Sequence, residues 1–115
     1  MECRVTESHP DDATTVLVLA GDWVEGAGAD LYRCLDQLAA ANHCRVVVDL
    51  LGIQWSDESV LAALVRGHLL LQRRGGWLRL VFDTRRQPIG FPPLSAVFEV
   101  YASLEAALTP HSPPQ

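Results

Sequence analysis

The residues best placed to do chemistry are Ser56, Asp57, Glu58 and Ser59, which follow the apolar run Val46 to Leu50 and precede the periodic segment Val60 to Leu71. Two carboxylates and two hydroxyls at a helix start, just past a strand end, suit two kinds of chemistry. The free N–H groups and the dipole of the helix favour an anion or a phosphate there. A carboxylate could serve as a general acid or base, but that needs a second acid or a histidine in a motif relation to it, and none accompanies Glu58. Taken by itself Glu58 reads as a favourable first-turn helix residue or, with least support, a catalytic carboxylate.

Other catalytic and cofactor patterns are incomplete. No Gly-x-Ser-x-Gly elbow presents a serine nucleophile. Gly26-Ala27-Gly28 opens a helix after a strand but lacks the third glycine and the distant acid of a dinucleotide fingerprint, and a chain without lysine has no Walker lysine. Cys3, Cys34 and Cys44 show no CxxC spacing, and His43-Cys44 has no second Cys/His pair, so neither a metal nor a redox site is expected. Buried thiols in a reducing cytoplasm fit better. No catalytic residue and no cofactor is expected.

The 115 residues suffice for one hydrophobic core, so a single domain over 1–109 is expected, with a disordered tail over 110–115. Hydrophobic residues make up 49% of the chain and charged residues 20%, as in a soluble globular protein. A net charge of −5 argues against nucleic acid as a partner, since phosphate backbones need a cationic face. Met1 to Asp12 is polar and acidic, unlike a signal peptide. Val60 to Leu71 is interrupted by Arg66 and His68 and too short to span a bilayer. A cytoplasmic location without membrane insertion follows as the expectation.

The elements that must position Glu58 follow from periodicity. Cys3 to Glu7 reads as an edge strand, His9 to Asp12 as a turn, and Thr15 to Ala20 as a strand ended by Gly21-Asp22. Ala27, Leu31, Cys34, Leu35 and Leu38 recur at helical spacing. Arg45 to Asp49 is a β-branched run suited to a strand covered on both faces, followed by a tight loop. Ser56 is placed as N-cap of the next helix, whose Leu61, Leu64, Val65, His68 and Leu71 face inward until Gly75-Gly76 stops it. Trp77 to Phe82 is a strand, Leu94 to Tyr101 holds a short helix and a short strand, and Ser103 caps a last helix to Leu108. The fold class is α/β, with right-handed crossovers and a mixed sheet of about four to five strands, its helices mainly on one face.

Four further positions gather around the same strand ends. Trp23 and Trp55 follow two strands and should lie near Glu58, either as aromatic anchors for a partner or as caps of the core beneath the loops. Arg85 and Arg86 follow the neighbouring strand, at the end where open parallel sheets bind ligands; they pair with Asp57 or Glu58, bind a phosphate, or stand solvated.

The order of these pieces resembles the STAS domain family, in particular the anti-sigma factor antagonists. The resemblance is carried by the strand ending in Gly21, Leu31 and Leu35, Asp49-Leu50 with Gly52, Asp57 with Leu61, Gly75-Gly76 before Leu78 to Val81, and Tyr101 to Leu108. It spans about Thr15 to Leu108. It implies a STAS-like sheet and a non-catalytic regulator of transcription in bacteria, acting by partner switching. The partner would be an anti-sigma factor that is also a GHKL-type serine kinase. The implied partner surface is Asp22, Trp23, Val24, Glu25, Trp55, Ser56, Asp57, Glu58, Ser59, Arg85 and Arg86. In the family a DLSGV-x-F-x-D-S-S-G-L motif places a regulatory phosphoserine after its second Asp. Glu58 stands there and cannot be phosphorylated, so the resemblance adds a further reading of it, a fixed negative charge in the place of the phosphate. The family's Asp at the end of the preceding strand is Val24, flanked by Asp22 and Glu25, and the glycine after the serine pair is Val60. Ser59 is a displaced phosphosite or a helix-start hydrogen-bonding group; one helical step turns its side chain by about 100°. The loss of the serine also fits an accessory STAS subunit beside the ATPase of an ABC-type transporter.

Overall fold

Strand β3 (Arg45–Trp55) organises the molecule, lying between β2 (Thr14–Trp23) and β4 (Trp77–Val81). The computed structural model describes residues 4–23, 27–55, 59–83, 85 and 97–108. With β1 (Arg4–Asp11) and β5 (Glu99–Tyr101) the sheet has five strands in the order β1-β2-β3-β4-β5. β1 pairs antiparallel with β2, and the other neighbours are parallel. The expected mixed α/β sheet is therefore present, with the first hairpin at one edge.

Helices α1 (Ala27–Ala40) and α2 (Ser59–Arg73) are the crossovers from β2 to β3 and from β3 to β4. Both connections advance in the same direction along the sheet, so right-handed crossing puts both helices on the same face. That face holds the main core: Leu17, Leu19, Leu31, Leu35, Val46, Val48, Leu50, Ile53, Val60, Leu64, Leu71, Leu78 and Leu80, all buried. Each such aliphatic side chain contributes about 1.5–3 kcal/mol on burial. On α2 the buried line is Val60, Ala63, Leu64, Gly67 and Leu71, whereas Leu61, Val65 and His68 lie half-buried along its margin. Arg66 lies over the Tyr32 ring, 4.3 Å from its centre, linking the outer sides of the two helices.

A second, smaller core occupies the opposite face. There Val16, Val47 and Val81 are buried with Ala107 of α3 (Leu104–Leu108), bordered by Val18, Trp77, Tyr101, Leu104 and Leu108. Ser103 caps α3 as expected: its Oγ accepts the Ala106 N–H at 3.2 Å.

Both long helices end in the same six-residue hydrogen-bonded motif. In α2 the Gly76 N–H reaches Leu71 O at 2.9 Å and the Gly75 N–H reaches Gln72 O at 3.0 Å, with Gly75 at φ 80°. In α1 the His43 and Asn42 N–H groups reach Leu38 O and Ala39 O at 2.8 and 3.1 Å, with Asn42 at φ 66°.

Several strand limits differ from the sequence reading. β1 runs through His9 and Pro10, and the chain turns only after Asp11. The pairing shifts between Ser8 and Asp11, so Pro10 sits in an edge-strand bulge, where its missing N–H is tolerated. β2 continues through Gly21 (φ 95°) and Asp22 to Trp23. β3 does not stop at Asp49: the expected tight loop is strand as far as Trp55. A bulge makes this extension. Val18 pairs with Asp49 but Ala20 with Gly52, so β3 carries one extra residue. Asp49 Oδ1 accepts the Leu51 N–H at 2.9 Å within it. The core positions Val46, Val48 and Leu50 are therefore followed by Ile53, not by residue 52.

Candidate partner-binding rim

The C-terminal ends of β2, β3 and β4 form one rim of the sheet. Asp22 pairs with Gln54 and Trp23 with Trp55, so the two strands leave the sheet side by side at the two tryptophans. From there 24–26 lead to α1 and 56–58 lead to α2, whose first residue is Ser59. The backbone thus brings Asp22, Trp23, Trp55 and Ser59 to one edge, as the spacing of the strands and helices requires. The extended pairing of β2 with β3, which the sequence reading had as loop, is what holds them there. Val24, Glu25, Ser56, Asp57, Glu58 and Arg86 lie outside the described residues, as does the proposed N-cap role of Ser56.

Arg85 has a settled environment. Its Nε and Nη2 donate to Asp83 Oδ1 and Oδ2 at 3.0 and 3.1 Å, and its N–H also reaches Asp83 Oδ1 at 3.0 Å. These hydrogen bonds and the charge of Asp83 push the Arg85 guanidinium pKa up. Arg85 is thus held by a neighbour two residues away. The D-x-R spacing was the available signal for this pair. An open cleft of about 420 Å³ lies beside it, lined by Leu51, Phe82, Asp83, Arg85 and Ala102. Leu51, the exposed residue of the β3 bulge, adds an apolar wall to a charged one.

Elsewhere the hairpin carries a hydroxyl–imidazole–carboxylate chain. His9 Nδ1 lies 3.1 Å from Thr15 Oγ1, and His9 Nε2 lies 2.7 Å from Glu7 Oε2. The chain has the components of a nucleophile relay, but Thr15 is 1% exposed and no substrate could reach its hydroxyl. It satisfies a buried hydroxyl beneath the edge strand. Cys34 and Cys44 are free and half-buried, not fully buried as expected. Burial, with Glu7 and Asp30 nearby, pushes the Cys34 thiol pKa up against the opposing pull of Arg33, so Cys34 is a poor nucleophile. Among the described residues no three His, Cys, Asp or Glu side chains converge to hold a metal ion, and no helix is long and apolar enough to cross a membrane.

Comparison with solved structures identifies the architecture. An anti-sigma factor antagonist from Mycobacterium paratuberculosis superimposes with a TM-score of 0.76 at 20% identity, over 94% of this chain and 92% of that one. The unphosphorylated form of the anti-sigma factor antagonist SpoIIAA superimposes with a TM-score of 0.68 at 14% identity, over 90% of this chain and 92% of that one. No protein-family model matches the sequence, and no curated protein does. The chain has the STAS-like fold of the anti-sigma factor antagonists.

Proposed function

We propose that this chain is a non-catalytic regulatory binding protein of the anti-sigma factor antagonist type, and that its partner docks on the rim of β2, β3 and β4. The observation that carries the reading is the side-by-side exit of the two strands at Trp23 and Trp55, in a fold shared with two antagonists. Paired aromatic positions at a sheet rim that also carries an apolar and charged cleft suit a protein interface, where aromatic and arginine anchors dominate the energetics. The partner of this reading is an anti-sigma factor with a GHKL-type serine kinase activity, and the setting is the bacterial cytoplasm.

Glu58 sets the regulatory state in this proposal. A phosphate at a protein interface adds charge and acceptor oxygens that repel an acidic partner surface. A glutamate supplies a fixed single charge in its place, so the protein is insensitive to the kinase and binds in the manner of the phosphorylated state. Ser59 is the neighbouring hydroxyl and a second candidate for modification.

The experiment is a binding titration of wild type and Glu58→Ser against an ATPase-type anti-sigma factor captured from the native lysate, with and without ATP. The expected result is tighter binding by Glu58→Ser and an ATP-dependent phosphate on that variant alone. Equal affinities with no phosphate on either protein would remove the phosphate-mimic role. Capture of transporter ATPase subunits by both baits would replace the partner itself.

A further inference from the structure

We propose that α3 is a releasable strap, whose opening uncovers a concealed valine strip on the sheet while the rest of the fold stays closed. The inference is independent of the partner reading, because it concerns the opposite face of the sheet and its test contains no partner.

α3 is short and buries little. It has five residues, far below the length at which a helix persists unaided. Ala107 is its fully buried side chain, while Leu104 and Leu108 are half-buried. Its polar contacts include a cap and a latch. Ser103 caps its first turn, and Arg79 Nη1 donates to Ala107 O at 3.1 Å near its end. Arg79 is itself clamped, 3.9 Å from the centre of the Trp77 ring and 3.4 Å from Glu99 Oε2. Arg79 is thus the latch: it is anchored in the sheet and grips the strap through one carbonyl.

What lies under the strap is continuous. Val16 pairs with Val47 and Val47 with Arg79, and in the next row Val18 pairs with Asp49 and Asp49 with Val81. Val16, Val47 and Val81 are buried in one cluster with Ala107 of α3, and Val18 borders them. Their strands do not depend on α3 for order. The ladders remain paired without it, and the main core holds their other face through Leu17, Val46, Val48, Leu78 and Leu80. Short elements with few buried groups open well before global unfolding. Releasing α3 breaks the Arg79 latch and the small cluster around Ala107, and the bend at Ala102–Ser103 is the natural pivot. Ala102 also lines the cleft beside Arg85, so movement of the strap alters that wall of the rim.

Adjacent residues of β3 provide the test, since Val47 lies under α3 and Val48 under α1 and α2. Val47→Cys and Val48→Cys are labelled with a thiol reagent under native conditions and read peptide by peptide by mass spectrometry. Rates are normalised to the global stability of each variant. The expected result is labelling of Val47→Cys at least about tenfold faster than Val48→Cys. Adding Arg79→Ala should raise the first rate about another tenfold, equivalent to about 1.4 kcal/mol, and leave the normalised second rate unchanged. Equal normalised rates at the two positions, or no response to Arg79→Ala, overturn the proposal. Amide exchange on the unmodified chain gives a second reading that needs no substitution. Ala106 and Ala107 should exchange with little dependence on denaturant, while Val47 exchanges through global unfolding. The same free energy and denaturant dependence for both groups would also overturn it.

Discussion

Replacing Gly76 by alanine should destabilise the protein more than replacing its neighbour Gly75. Gly75 holds φ 80° but has open space where a Cβ would sit. Alanine there is strained only by its left-handed backbone, which costs about 1–2 kcal/mol. Gly76 has no such backbone demand, yet a Cβ on it would run into the carbonyl oxygen of Cys44. That oxygen accepts the Trp77 N–H at 2.9 Å, the bond that starts the pairing of β4 with β3. Relief requires the two backbones to separate. The expected loss combines one hydrogen bond, about 1 kcal/mol, with an overpacking strain of about 1–3 kcal/mol. Roughly 2–4 kcal/mol follows for Gly76→Ala. Urea unfolding of wild type, Gly75→Ala and Gly76→Ala, followed by far-UV circular dichroism, gives the three values. If Gly76→Ala is no more damaging than Gly75→Ala, the close approach of α2's end to β3 is not what demands a glycine here.

Asn42→Gly should stabilise the protein by up to about 1 kcal/mol, since Asn42 holds φ 66° at the end of α1 and glycine adopts that backbone without a side-chain penalty; thermal unfolding checks it. Alkylation of Cys34 should level off at a higher pH than that of a free thiol, because its raised pKa keeps it protonated as pH rises. By the same sign, the stability that depends on the neutral thiol is complete below the unfolded-state pKa and falls as pH rises through the folded-state value. Peptide-resolved iodoacetamide rates and unfolding across alkaline pH test both statements. Ser103→Ala should remove about 1 kcal/mol from α3 by deleting its cap, speeding labelling of Val47→Cys with little effect on Val48→Cys.

Helices were legible where one chain segment held all the information. The apolar spacing of Leu31, Leu35 and Leu38 fixed the buried side of α1, and Ser103 announced α3 by its own chemistry. Gly75-Gly76 read as a stop, although the two glycines serve different ends, a backbone angle and a close approach. Asn42 ends α1 in the same motif without a glycine to mark it. Strands were less legible, because their length is set by partners distant in sequence. Gly52-Ile53-Gln54-Trp55 has the composition of a loop and becomes strand through pairing with Ala20 to Trp23. Pro10 reads as a turn and sits instead in a bulge that an edge strand can accommodate. At the rim, position was legible from strand and helix order. Partnership was legible in part: Arg85, weighed as solvated, as a partner of Asp57 or Glu58 or as a phosphate ligand, stands 89% exposed and binds Asp83, whose spacing was in view, while Asp57 and Glu58 lie outside the described residues.

The bulge in β3 also has a consequence for deletions. Val18 still meets Asp49 before it and Ala20 meets Gly52 after it, so a single residue between them is surplus to the ladder. Leu50 is buried and Leu51 is 37% exposed, which makes Leu51 the surplus one. A chain lacking Leu51 would keep every pairing of β2 with β3 described above, including Trp23 with Trp55, and would restore unbroken alternation from Leu50 to Ile53. The β2–β3 ladder itself therefore does not require this leucine. What Leu51 does contribute includes its N–H bond to Asp49 and the apolar wall it gives the cleft beside Arg85. A shortened chain that folds normally would separate the needs of the rim from the needs of the sheet, which substitution at a paired position cannot do.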